Sequence, residues 1–129
     1  MSLLRRLFIL AFWLCIAIAY VAAIVPGRDA PTGLGWDKAN HMLAFFTVTF
    51  LCRLAYPRLP VPLIALAMAA FGAAIELTQA LPFIHRDAEW DDWFADCAAA
   101  LAGLLIVWPV ASWVDRRRVQ LGLRAPRQK

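Results

Sequence analysis

The chain has 129 residues, with 13 Lys and Arg against 9 Asp and Glu for a net charge of +4, and 63% of it is hydrophobic while 17% is charged. Soluble domains run at about 45–50% apolar and about 25% charged, so this balance excludes an ordinary globular domain, and it equally excludes a disordered tail. Membrane crossings of about 20 residues each, four in number, use most of such a chain and leave only short loops.

The first apolar segment, 7–25, follows Arg5 and Arg6 and so has the outline of a signal peptide. Its apolar run is longer than a signal core of about 7–15 residues and more membrane sequence follows it, so it is read as a retained helix. Segments 39–55, 61–81 and 93–114 complete a set of four. Each is long enough to span, and in hydrocarbon a single segment satisfies its backbone only as a helix. The connections 26–38, 56–60 and 82–92 carry the Pro, Gly and Asp that break helices, and 115–129 forms a basic tail. The expectation is an all-α integral membrane bundle of four transmembrane helices, built as a single domain over 1–129.

Cys15, Cys52 and Cys97 lie inside apolar stretches at no disulfide or metal spacing, and read as small buried residues. The basic residues flank apolar segments and form no single face, which points to the lipid bilayer as partner and away from nucleic acid. Ten of them (Arg5, Arg6, Arg53, Arg58 and six in the tail) fall on one side, against Arg28, Lys38 and Arg86 on the other. The positive-inside rule then places both termini in the cytoplasm of a multi-pass membrane protein. Trp36, Trp90 and Trp93 fall at the outer interface, Tyr56, Trp108 and Trp113 at the inner one. Every acidic residue except Asp115 lies on the outer side or in the outer half of a helix.

The residues a bilayer makes expensive carry the functional information. On the third helix Ala65, Ala69, Gly72, Glu76 and Gln79 step by 4, 3, 4 and 3, so small residues and a polar pair share a face. Small residues mark close helix contact, so Glu76 is expected to point into the bundle. On the fourth, Asp92, Asp96, Ala99 and Gly103 step by 4, 3 and 4. Asp37, Lys38 and His41 open the second helix within one turn, and Arg86 is the nearest fixed cation. Together these residues form an expected outward-facing polar pocket. Plainer roles exist for several: a helix cap for Asp91 or Asp92, an interface histidine for His41, and a wet loop for His85, Asp87 and Glu89. Glu76 is a functional candidate by default, as a mid-helix carboxylate facing small residues in a membrane protein. The candidate ligands His41, Glu76, Asp92 and Asp96 are spread over three helices with no HExxH-type pair, so no metal and no cofactor are expected.

The strings W-D-K-A-N-H-M-L-A-F-F (36–46) and E-L-T-Q-A-L-P-F-I-H-R-D-A-E-W-D-D-W-F-A-D-C-A-A-A-L-A-G (76–103) resemble the VanZ-like membrane protein family. That family shows D-K-x-x-H at the start of its second helix, E-x-x-Q at the end of the third, an Arg shortly after, and D-x-x-x-N-x-x-G-x-x-x-G entering the fourth. Asp37, Lys38, His41, Glu76, Gln79, Arg86, Asp92 and Gly103 match these positions, while Asp96 stands for the Asn and Ala99 for the first Gly. Ala99 widens a helix contact by one methyl group, whereas Asp96 adds a titratable group beside Asp92. The resemblance implies a role in the cell envelope, since family members include a protein that raises resistance to teicoplanin, a glycopeptide that binds cell-wall precursors outside the membrane.

Three functions follow as expectations. In the leading one the pocket binds or modulates the polar head of an envelope component, such as a lipid-linked cell-wall intermediate, with Lys38, His41 and Arg86 facing its phosphate and Glu76, Gln79 and Asp92 orienting it. In the second, Glu76 and His41 are the catalytic acid/base pair of an intramembrane enzyme acting on a lipid-linked substrate, with water attacking directly because no Ser or Cys occupies the motif positions. In the third, the polar residues form a network that holds the bundle or an assembly together.

Overall fold

The computed structural model describes residues 3–25, 37–84 and 88–120, with side chains placed for all of these except 37, 111 and 114–120. Among the described residues the chain is all-helical, with α1 at Leu3–Ile24, α2 at Asp37–Ala55, α3 at Val61–Gln79 and α4 at Trp90–Gln120. Three of them have the length and apolarity to cross a membrane: Leu3–Ile24, Val61–Gln79 and the Trp90–Val110 part of α4. The fourth, α2, is as long as α3 at 19 residues but carries Asp37, Lys38, Asn40, His41 and Arg53.

Polar contacts give the helix directions. At one end of the bundle Arg5 donates from Nε to the Ala55 carbonyl at 3.1 Å, and Trp13 donates from Nε1 to the Tyr56 hydroxyl at 2.9 Å. At the other end Gln79 donates from Nε2 to the Ala23 carbonyl at 2.9 Å, and Lys38 meets Asp92. The chain therefore runs up, down, up, down. Within that order α2 and α4 lie side by side and point the same way, and their contact is the most extensive in the molecule, followed by α1 on α2 and α3 on α4.

Helix ends depart from the apolar boundaries for local reasons. α1 begins at Leu3, not 7, because Arg5 and Arg6 are good helix formers whose heads reach past an apolar stretch. α3 starts after Pro60, with Pro62 in its first turn, where a missing N–H costs nothing. It stops at Gln79, short of the expected 81, because Pro82 disfavours helical geometry at Leu81; the Ala80 N–H closes back onto the Glu76 carbonyl at 2.9 Å. α4 begins at Trp90, three residues earlier than 93, where Asp91 and Asp92 complement the positive end of the helix dipole. It then runs on to Gln120, through Pro109 and through the first part of the expected basic tail, whose remainder, 121–129, lies outside the described residues. A proline inside a membrane helix is tolerated where neighbouring groups satisfy the freed carbonyl.

Burial is inverted relative to a water-soluble bundle. Leu3, Leu7, Leu10, Leu14 and Ile18 form one exposed apolar face of α1, and Leu101, Leu105 and Trp108 are exposed on α4. His41, Thr49, Glu76, Gln79 and Asp96 are buried. Apolar residues outside and polar ones inside are what a lipid surround rewards. The core between them is ordinary, with Phe12, Phe45, Val48, Ile64, Met68, Ile75 and Leu104 in contact; the Phe45 and Phe71 rings lie 5.5 Å apart and tilted. Two glycines set helix spacing: a Cβ on Gly103 of α4 would stand 2.9 Å from the Phe46 carbonyl oxygen of α2, and one on Gly72 of α3 would stand 3.1 Å from the Trp93 ring of α4.

Candidate functional site

The site is assembled at the end of the bundle where α2 and α4 start and α3 stops. The α2 and α4 starts are held in register by two stacked acid–base contacts one helical turn apart. Lys38 Nζ lies 3.0 Å from Asp92 Oδ1 in a half-exposed ion pair. One turn deeper, His41 Nδ1 lies 3.7 Å from Asp96 Oδ2, with both residues buried. The periodicity that put Asp92 above Asp96 on one face thus meets a matching pair, Lys38 above His41, on the neighbouring helix.

Glu76 approaches from α3. It is 3% exposed, and its Oε2 accepts a 2.8 Å hydrogen bond from the backbone N–H of Glu89. Glu89 precedes α4 and its own carbonyl takes the N–H of Asp92 at 2.9 Å, so it is the N-cap of that helix. A carboxylate from another helix here does what the third-turn-position glutamate does in a capping box, and it adds negative charge at the positive end of the α4 dipole. Gln79, also buried, reaches the Ala23 carbonyl at the end of α1. Through Glu89, Glu76 meets the start of α4 where Asp92 stands, so the carboxylates of α3 and α4 face the same end of the bundle.

Hydrogen-bond bookkeeping in this cluster does not close. Glu76 Oε1 and both carboxylate oxygens of Asp96 are buried without a hydrogen-bond partner. Acceptors are in excess, and Lys38 and His41 each already face a carboxylate. Asp37 belongs to α2, but its side chain, like Arg86, lies outside the described residues. Among the described residues no group of three or more His, Cys, Asp and Glu is arranged to hold a metal ion.

Two participants had weak or no sequence signal. Trp93, read from the sequence as an interfacial aromatic, donates from its indole Nε1 to the Ala69 carbonyl at 2.9 Å and packs over Gly72, so it fastens α4 to α3. The signal available was the Ala69 and Gly72 stripe, which leaves room for a large ring. Glu89, read as part of a wet loop, keeps its side chain exposed but gives its backbone N–H to Glu76.

Asp96→Asn is a direct probe of the unclosed bookkeeping. Asn keeps the shape and puts a neutral amide in place of a buried carboxylate that lacks hydrogen bonds, so the variant should unfold with a free energy within about 1 kcal/mol of wild type in a detergent or bicelle denaturation series. A loss of 2 kcal/mol or more, on the order of one buried charge-assisted contact, would show instead that the His41 contact holds the bundle.

No family model, curated protein or solved structure matches this chain.

Proposed function

We propose that the chain is a VanZ-like multi-pass protein of the bacterial cytoplasmic membrane, with four crossings and both termini cytoplasmic, whose polar end binds the polar head of an envelope component such as a lipid-linked cell-wall intermediate. Three things support the reading. The 10 to 3 distribution of basic residues favours the polar end on the outer side. Lys38, His41, Glu76, Gln79, Asp92 and Gly103 stand at the motif positions of the resemblance and at one end or seam of the bundle. The observation that carries most weight is Glu76, a buried carboxylate on a spanning helix with one oxygen unpartnered, because such a group is costly in a membrane unless something else completes it.

The test is native mass spectrometry of lipids that co-purify with the protein and with Glu76→Gln, at matched amounts of folded protein. The head-group reading expects wild type to retain a lipid-linked precursor and Glu76→Gln to lose it by about tenfold, equivalent to about 1.4 kcal/mol. Equal retention by the two, or none by wild type, defeats it.

A structural role is the second reading, favoured by one specific pattern. Glu76, Gln79 and Trp93 each bond to backbone groups of another helix or its cap. On that reading Glu76→Gln reduces the folded amount itself, and the lipids carried by what remains are unchanged.

A further inference from the structure

The ligand chemistry of the polar end can be narrowed beyond "polar head group", an inference that rests on the head-group reading. Asp92 and Asp96 of α4 face Lys38 and His41 of α2, and Glu76 of α3 reaches the same end of the bundle through the Glu89 N–H. Glu76 is 3% exposed and Asp96 1%, and three of their four oxygens have no donor. A phosphate brings only acceptors and negative charge, and would face acceptors it cannot bond and carboxylates that repel it. An ammonium group brings three donors, no acceptor and one positive charge. The cluster already holds one such group, since Lys38 Nζ sits 3.0 Å from Asp92 at the half-exposed mouth. Asp96 lies one turn below that mouth, with Glu76 across from it on α3.

We propose that this cluster is a primary-amine site: the head group it takes presents an ammonium, which enters past the Lys38–Asp92 pair and donates to Glu76 Oε1 and the Asp96 carboxylate. Two sources carry that chemistry, an ethanolamine phospholipid and the free side-chain amine of a cell-wall peptide on its lipid carrier. No covalent step is involved.

The experiment uses the full chain in lipid nanodiscs. One arm compares phosphatidylethanolamine, phosphatidylcholine and phosphatidylglycerol, reading the lipid retained by native mass spectrometry and the thermal midpoint. Choline keeps the charge but has no N–H, and glycerol keeps hydroxyl donors without the charge, so the three separate donation, charge and phosphate. The other arm offers a lysine-containing cell-wall peptide on its lipid carrier, with the amine free or acetylated. An amine site retains ethanolamine lipid, or the free-amine carrier, at least about tenfold over its amine-blocked counterpart. Preference in the first arm names a phospholipid, and preference confined to the second names the peptide. Glu76→Gln and Asp96→Asn should each abolish the preference; Asp96→Asn keeps the test informative if Glu76→Gln folds poorly. Equal retention of amine and blocked forms, a preference for phosphatidylglycerol, or a preference unaffected by Asp96→Asn overturns the amine assignment. Retention of the lipid-linked intermediate regardless of acetylation overturns it too, yet leaves the broader head-group reading standing, so the two fail separately.

Discussion

Gly103→Ala should lower the unfolding free energy by about 1–3 kcal/mol, the usual cost of forcing an extra methyl into a packed interior. The added Cβ would lie 2.9 Å from the Phe46 carbonyl oxygen and 3.5 Å from Thr49 Cβ. A backbone carbonyl inside a helix cannot swing away as a side-chain tip can, so α2 and α4 must separate along their most extensive contact. A larger residue at the same position, Gly103→Leu, should prevent assembly of the bundle. Steric-trapping or denaturant unfolding in bicelles measures both, and a Gly103→Ala protein as stable as wild type would mean that the two helices are not held this closely. Ala99, one turn earlier on α4, already carries its methyl group and is buried, so the tight point is confined to position 103.

Glu76→Ala should cost about 2–4 kcal/mol, combining loss of a charge-assisted hydrogen bond of about 1.5–3 kcal/mol with the cavity left by a buried side chain. The Glu89 N–H loses its acceptor and the N-terminus of α4 loses the facing carboxylate. The local signature is faster amide hydrogen exchange at 89–92, with exchange in the middle of α4 unchanged. Uniform loss of protection along α4 would mean that Glu76 stabilises the bundle by another route. Because Glu76→Gln keeps an acceptor oxygen for Glu89, its stability should fall between wild type and Glu76→Ala, which is why Gln is the better variant for testing ligand binding.

Much of this architecture is legible in the amino-acid sequence. Helix number and approximate span followed from runs of apolar residues bounded by Pro, Gly and Asp. The inward orientation of Glu76 followed from Ala69 and Gly72 on the same face, since a carboxylate sharing a stripe with small residues faces protein and not lipid. The convergence of Lys38, His41, Glu76 and Asp92 followed from antiparallel tracing of four short-looped helices. What could not be read was pairing. Nothing in the spacing of Asp92 says that Lys38 answers it, because the pairing depends on how α2 and α4 lie against each other, which the close approach of Gly103 to Phe46 sets together with the two acid–base contacts. Partners that are backbone groups leave no trace at all: the Glu89 N–H and the Ala23 and Ala69 carbonyls belong to residues whose side chains are irrelevant to the bond. Helix ends moved for the same kind of reason, since a cap is set by local geometry and not by where hydropathy changes.

The side-by-side alignment of α2 and α4 has a consequence for how the protein is made. Of the four, α2 is the one without a long enough apolar window to span, and the groups that answer Lys38 and His41 are on α4, which is synthesised after it. Until α4 is present, α2 stands beside α1 with Lys38 not yet facing Asp92 and His41 not yet facing Asp96. The α2 contacts with Asp92 and Asp96 therefore form only after α4 has been made, so α4 supports α2 as well as supplying half of the candidate site.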